Sequence, residues 1–149
     1  GATGPAGANG SNATATIDHY YNYNDAGALN LAIGANSAIP FAGNAISSGT
    51  SITQTNNTTF SINEVGNYQI QFVGNTTALS LLGSIQLKVG GVNNPFKFAL
   101  LSGGSPVVLT QVIRVTTLPT TIQVIVTGLT VSFASGTSTN ITITRLTRS

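Results

Sequence analysis

Residues 66–72 read Gly-Asn-Tyr-Gln-Ile-Gln-Phe, and this short stretch decides the fold class. Its large apolar residues, Tyr68, Ile70 and Phe72, recur at every second position with polar residues between them. Because successive side chains of a β-strand point to opposite faces, this spacing predicts a strand with one buried face. Gly66, a residue typical of turns, opens the strand.

The same alternation recurs from residue 29 to the C-terminal end of the chain, and no stretch carries a helical apolar period. It predicts strands around these apolar sets: Leu29, Leu31 and Ile33; Phe60 and Ile62; Ile85, Leu87 and Val89; Phe96, Phe98 and Leu100; the run 106–117, which Pro119 ends; Ile122, Val124 and Val126; Leu129, Val131 and Phe133; and, after a predicted loop at 136–140, Ile141, Ile143 and Arg145. About nine or ten short strands separated by glycine, proline and asparagine turns predict an all-β, antiparallel sandwich. A jelly roll is the leading version, and an immunoglobulin-like sandwich is the alternative, although its usual Cys and Trp residues are absent from the chain.

Glycine occupies positions 1, 4, 7 and 10, which is the register of a collagen-like Gly-X-Y helix. Only glycine fits at the axis where three collagen chains meet. A Gly/Ala-rich linker would give the same spacing by chance. We expect residues 1–12 to be the end of a collagen-like stalk, 13–28 a linker and first strand, and 29–149 a jelly-roll trimerisation domain. The chain does not begin with Met, and we expect it to be a piece of a longer protein.

Charged residues make up only 5% of the chain, against roughly 25% in ordinary soluble domains. A surface with so little charge repulsion suits a domain that lives in a fixed assembly. The net charge of +2 is scattered and forms no basic stripe, so we expect no nucleic-acid partner. No apolar run reaches the roughly 18 residues that span a bilayer, so we expect no membrane insertion. Cys is absent, which excludes disulfides and thiol chemistry.

Few residues suggest catalytic or ligand-binding chemistry. His19 is the only histidine, and we expect it to be solvated or at an interface rather than a catalytic base. Asp18 and Asp25 would bind a cation if they lay close together, but calcium sites usually need more carboxylates. The glycine pairs at 90–91 and 103–104 lack the Lys-Ser/Thr of a phosphate loop and predict hairpin turns. We therefore expect no enzyme, no catalytic, cofactor-binding or metal-binding residues, and no cofactor.

Three further groups of residues are open to two interpretations. Tyr20, Tyr21 and Tyr23 would either pack where the stalk meets the domain or form a surface that stacks on sugars or a partner protein. Arg114 interrupts an apolar strand on the face of Val112, and would either reach an acid across a trimer interface or point to water. Lys88 and Lys97 would form either a small basic patch or charged strand edges. Separately, Asn12, Asn56, Asn57, Asn75 and Asn140 each begin an Asn-x-Ser/Thr sequon, and we expect no N-glycans there.

Residues 59–70, which read Thr-Phe-Ser-Ile-Asn-Glu-Val-Gly-Asn-Tyr-Gln-Ile, resemble the Phe and Gly-x-Tyr signature of the jelly roll shared by tumour necrosis factor and the complement globular head. From about Leu29 onward the chain is more closely similar to the C-terminal domain of BclA-type collagen-like glycoproteins of the bacterial spore exosporium. The similarity recurs at 39–41 (Ile-Pro-Phe), 83–89, 122–129 and 135–138, in that order behind the Gly-X-Y register. The segment 19–23 lies outside it.

This resemblance implies a homotrimer at the tip of a collagen-like filament, in the hair-like nap of the spore surface. There the domain would nucleate the triple helix and set its register, and stalk threonines such as Thr3 would carry sugars. The alternative function is a trimeric adhesin or receptor-binding head of a bacterial or phage fibre, with surface glycans or host or filament proteins as further partners. In both cases the expected location is extracellular.

Overall fold

The computed structural model describes residues 17–77, 82–101, 104 and 106–149. Within these residues the chain forms twelve β-strands and no helix. The stalk residues predicted at 1–12, including Thr3 and the sequon at Asn12, lie outside the described residues, as does Gly103. The strands are β1 (His19–Asp25), β2 (Leu31–Ile33), β3 (Ile46–Ser48), β4 (Ile52–Asn56), β5 (Thr59–Ile62), β6 (Gly66–Asn75), β7 (Ser84–Val89), β8 (Val92–Ala99), β9 (Pro106–Val115), β10 (Thr120–Thr127), β11 (Val131–Phe133) and β12 (Thr137–Thr147).

Two five-stranded antiparallel sheets form the sandwich. Sheet I has the strand order β3-β1-β12-β6-β9, and sheet II has the order β4-β5-β10-β7-β8. The short strands β2 and β11 pair separately. Consecutive strands such as β5, β6 and β7 alternate between the sheets, so the connections cross from one layer to the other. The antiparallel jelly roll predicted from the sequence is confirmed.

The alternating residues of β6 place one face in the core, as the sequence predicts. Tyr68, Ile70 and Phe72 are all fully buried. Phe72 meets Phe41 and Phe133 in edge-to-face contacts, with ring centroids 6.0 and 5.9 Å apart. These aromatic contacts join sheet I to the segment before β3 and to β11, so the core extends from one sheet to the other and beneath the connections.

Three details of the predicted strands are wrong. The alternation across Phe96, Phe98 and Leu100 fails, because the β7–β8 pairing shifts register between Gln86 and Lys88, and Phe96 is exposed while Leu100 is buried. The predicted loop at 136–140 belongs mostly to β12, which begins at Thr137. Leu29 and Leu129 lie outside strands and are exposed at the surface. The turn predicted at Gly90 and Gly91 does connect β7 to β8.

The start of β1 and the end of β12 lie at the same end of the sandwich. His19 at the start of β1 pairs with Thr144 near the end of β12, so the first described residues also lie at this end. At the opposite end, Asp25 pairs with Thr137. This arrangement places the entry of the N-terminal segment beside the C-terminal strand.

Candidate functional site

The tyrosines of β1 divide between the two faces of sheet I. Tyr20 points inward, and its ring makes an edge contact with Phe60 at a centroid distance of 5.6 Å. Tyr21 and Tyr23 are half-buried on the outward face with ring centroids 6.3 Å apart. Tyr20 therefore packs against the core, the Tyr23 ring covers Gly43, and Tyr21 is available to a partner. Packing against the stalk stays a prediction, because the stalk residues lie outside the described part of the chain.

The outer face of sheet I is the outward side of β1, β12 and β6; the edge strand β9 borders it and presents Val108, Val112 and Arg114 on the same side. Its central rows follow from the strand register: Tyr21 lies beside Thr142, which lies beside Gln71, and Tyr23 lies beside Asn140. These side chains are uncharged. A face of neutral aromatic, amide and hydroxyl groups has a small desolvation cost compared with a charged face.

The apolar edge consists of Val92, Phe96, Val108 and Val112, whose residues are 50–69% exposed. The first two lie on β8 and the others on β9, the edge strands of sheets II and I at the same side of the sandwich. The two strands meet at this side, where Gln111 Nε2 donates to Asn94 Oδ1 at 2.6 Å. Exposed apolar side chains gathered at one side of a molecule suit a protein interface.

A buried ion cluster joins the start of β1 to β12, and the sequence analysis missed it. Arg145 Nη1 lies 3.4 Å from Glu64 Oε2 and 4.0 Å from Asp18 Oδ2. Arg145 Nη2 donates a hydrogen bond of 2.6 Å to the Val65 carbonyl, and Ser51 Oγ donates one of 2.6 Å to Asp18 Oδ2. The side chains of Arg145 and Asp18 are only 7% and 10% exposed. The cluster uses two of the three acidic residues of the chain.

Two glycines make room for this cluster. A Cβ at Gly49, which has a φ of +79°, would collide with the Asp18 carboxylate. A Cβ at Gly66 would collide with the Thr147 carbonyl and approach Arg145 Nε. The backbone amide of Arg145 also donates to the Asp18 carbonyl at 2.9 Å. The only sequence signal was Arg145 among the inward positions of an apolar strand, which indicates a buried charge that needs a partner.

The possible cation site between Asp18 and Asp25 is contradicted by the strand that separates them. The two residues lie at opposite ends of β1, about 23 Å apart at the usual rise of a strand. Asp25 instead accepts a hydrogen bond of 2.8 Å from the Gly27 amide. Among the residues that the structure describes, no cluster of three acid, His or Cys side chains is placed to hold a metal.

A cleft of about 240 Å³ opens between β1, β4 and the segment before β3; we call it the amide cleft. Asn22 Nδ2 donates to Gln54 Oε1 at 2.7 Å and to the Phe41 carbonyl at 3.0 Å. Tyr20 OH donates to the same Gln54 oxygen at 3.2 Å, and Gln54 Nε2 donates to the Phe41 carbonyl at 2.7 Å. Asn57 also lines the cleft. The four bonds fix the inner wall of the cleft.

Burial also perturbs two tyrosine hydroxyls. It raises the pKa of Tyr20 beside the cleft and that of Tyr68 in the core, because the phenolate form would lose its solvation. Tyr68 OH donates a hydrogen bond of 2.7 Å to the Glu64 carbonyl. Both hydroxyls therefore stay neutral donors at physiological pH.

The other predicted residues are scattered. His19 is half-buried, with Nδ1 2.9 Å from the Ile17 carbonyl. Arg114 is exposed beside Val112, and its Nε donates to Asn67 Oδ1 at 3.3 Å. Lys88 lies on β7 and Lys97 on β8, opposite Asn93 and Gln86 respectively.

In the part of the chain that the structure describes, no helix is long and apolar enough to cross a bilayer. The sequon residues Asn56 and Asn57 lie at the β4–β5 turn, Asn75 at the end of β6 and Asn140 within β12.

Solved structures with this fold include cytokines and a viral protein. Murine APRIL superposes with a TM-score of 0.62 at 8% identity, covering 88% of this chain and 100% of that chain. Eiger TNF from S. frugiperda gives a TM-score of 0.60 at 11% identity, with coverages of 89% and 94%. PRD1 vertex protein P5 gives 0.55 at 18% identity, with coverages of 86% and 96%. At such identities the likeness shows the fold alone, a TNF-like jelly roll.

Sequence comparison identifies the family. No curated protein sequence gives a significant match. The family model described as the BclA C-terminal domain matches residues 20–147. The sequence resemblance began at about Leu29, whereas the family match begins at Tyr20 and so includes the tyrosines of β1. The match covers strands of both sheets. The chain therefore belongs to the BclA C-terminal domain family.

Proposed function

We propose that this domain is the trimerising cap of a collagen-like filament on the bacterial spore surface, where it nucleates and registers the collagen triple helix. The observation that carries the proposal is the apolar edge on β8 and β9, together with the uncharged central rows of the outer face of sheet I. The role is structural and requires no enzymatic chemistry. Family membership supports the place on the spore exosporium.

The apolar edge and the outer face suit each other as partners. Phe96 and Val92 project from the edge strand of sheet II, and Val108 and Val112 border the outer face of sheet I. Burying such side chains is favourable by about 25 cal/mol per Å² of apolar area. The neutral groups of the facing surface, such as Tyr21 and Gln71, can pack against them without stranding a charge.

When the edge of one protomer packs on a different surface of the next, the interface is heterologous. Such contacts form a closed ring if the rotation from one protomer to the next divides a full turn evenly. The Gly-X-Y register at residues 1–12 specifies how many copies close the ring, because a collagen helix takes three chains. We therefore assign a ring of three, with the apolar edge of each protomer on the outer face of the next.

Threefold symmetry also explains the link to the stalk. Each chain enters at the same end of the sandwich, just before His19, so a cyclic trimer brings all three stalk ends to one side. Holding three ends together raises their effective concentration and removes most of the entropy cost of nucleation. The buried Asp18 fixes the last residue before β1 against Arg145, which gives the three stalks a defined starting point.

The interface is tested by charge substitution at the apolar edge. Val112→Asp places a carboxylate in the proposed interface, and we expect it to convert the trimer to a monomer in light-scattering measurements. Leu29→Asp is the matched control, because Leu29 is 78% exposed outside both proposed surfaces. A Val112→Asp protein that stays trimeric, or a Leu29→Asp protein that dissociates equally, overturns the assignment.

The nucleating role is tested with added Gly-X-Y triplets before residue 1. Circular dichroism should then show a triple helix that melts at a higher temperature with the domain attached than after its proteolytic removal. Equal melting temperatures would contradict the role. The location is tested by labelling intact spores with an antibody against residues 19–149, and an unlabelled surface on spores that make the protein would refute it.

A further inference from the structure

The amide cleft carries chemistry that a trimerising role does not use. It lies between the β3/β4 edges of the two sheets, on the opposite side of the sandwich from the apolar edge. Asn22, Gln54, Asn56 and Asn57 supply four side-chain amides to its lining. The small residues Ala42, Gly43 and Ala45 complete the lining.

Some of these amides are rigid and others are free. Gln54 is held by Tyr20, Asn22 and the Phe41 carbonyl, so its position is fixed. Asn57 is exposed, and its side-chain amide makes no hydrogen bond with the described residues. Asn56 uses its Oδ1 as an acceptor for Thr58 and keeps its Nδ2 unpaired in the same part of the structure. The cleft therefore combines a fixed wall with free donors and acceptors.

The lining selects a neutral, hydroxyl-rich occupant. No charged side chain lines the cleft, so an ionic ligand would lose its hydration without meeting a countercharge. An apolar ligand would instead leave the free amides unpaired. Sugar hydroxyls both donate and accept hydrogen bonds, as amides do. The half-buried ring of Tyr20 adds apolar surface on which the C–H face of a sugar ring can pack.

The size of the cleft limits the occupant to a small group. Its volume of about 240 Å³ lies below the roughly 300–1,000 Å³ typical of pockets for drug-sized ligands. An extended peptide would need a longer groove. We propose that the amide cleft binds one neutral monosaccharide unit, free or at the end of a glycan. A single ring held by a few neutral hydrogen bonds should bind with a dissociation constant of about millimolar.

The test is a titration of the ¹⁵N-labelled protein, followed by amide chemical shifts. The neutral probes are D-glucose, D-galactose, L-rhamnose and N-acetyl-D-glucosamine at millimolar concentrations, with glucose 6-phosphate and acetyl-asparagine amide as contrasting probes. We expect at least one neutral sugar to shift the amides of residues 42–45 and 56–57 selectively. The proposal is overturned if no neutral sugar does so, if the charged sugar binds more tightly than its neutral counterpart, or if only the asparagine derivative binds.

A pair of variants then assigns the binding to the cleft. Asn57→Ala should weaken sugar binding by about threefold to tenfold, because it removes one hydrogen-bonding group. Asn44→Ala is the control, since Asn44 is exposed in the same segment but does not line the cleft. Equal affinities of Asn57→Ala and the parent would overturn the assignment, as would an equal loss in both variants. The oligomeric state of both variants should match that of the parent, so this result is independent of the proposed trimer.

Discussion

Replacing Arg145 with Met tests the buried ion cluster most sharply. Methionine fills a similar volume but removes the cation that lies 4.0 Å from Asp18 Oδ2 and 3.4 Å from Glu64 Oε2. Asp18 then keeps a buried carboxylate whose side-chain partner, among the described residues, is the Ser51 hydroxyl alone. We expect a large fall in the free energy of unfolding, because an uncompensated buried charge is costly.

The magnitude follows from the two partners of Arg145. Removing one side of a buried pair typically costs about 3–5 kcal/mol. Glu64 is 44% exposed and regains water when the arginine is lost, so the cost arises mainly at Asp18. The Ser51 hydrogen bond of 2.6 Å stabilises the remaining carboxylate in part. We therefore expect Arg145→Met to cost about 3 kcal/mol.

The assay is urea unfolding in a double-mutant cycle with Asp18→Asn, at one protein concentration because association shifts apparent stability. Asparagine keeps an oxygen for the Ser51 hydroxyl but carries no charge. The double variant should be about 1–2 kcal/mol more stable than Arg145→Met alone, since it no longer buries an unpaired carboxylate. The reasoning is refuted if Arg145→Met costs less than about 1 kcal/mol, or if the two single costs add to within about 0.5 kcal/mol.

Two further predictions concern stability in the same unfolding assay. Gly49 and Gly91 have nearly equal φ angles, +79° and +81°, so alanine brings each the same backbone strain of roughly 1–2 kcal/mol. Only the alanine at position 49 also collides with Asp18, so Gly49→Ala should cost clearly more than Gly91→Ala, and equal costs would argue against the packing described. Burial raises the pKa of Tyr68 in the folded protein, so on raising the pH the unfolded chain loses its phenol proton before the folded chain does. The neutral phenol therefore contributes its full stability below about pH 10, and this contribution is lost as the pH rises further. Tyr68→Phe should flatten this alkaline loss while costing about 1 kcal/mol at neutral pH through the hydrogen bond to Glu64; an unchanged alkaline slope would contradict it.

The strand pattern was readable from the sequence where one face of a strand is buried and the other is not, as in β6 and β9. Tyr68, Ile70 and Phe72 alternate with polar residues, and a shift of one residue would expose all three. Where a bulge adds residues, as opposite Leu87 in β8, the alternation no longer predicts which side chain is buried. Phe96 is therefore exposed although its spacing from Phe98 predicts that both are buried.

The candidate sites were less accessible from sequence because their residues are far apart in the chain. Asp18, Glu64 and Arg145 meet only after β1, the β5–β6 turn and β12 have come together. Gln54 and Asn22 are separated by 32 residues. The tyrosine segment was placed outside the family resemblance, whereas the family match begins at Tyr20. The division of Tyr20 from Tyr21 required the strand register.

The central claim is that the folded domain is a trimer, and the mass in solution tests it most directly. Sedimentation equilibrium of residues 1–149 at micromolar concentrations should give about 45 kDa, three times the chain mass of 15.1 kDa. The mass should remain at this value on dilution through the micromolar range. A folded species of about 15 kDa throughout that range would contradict the account.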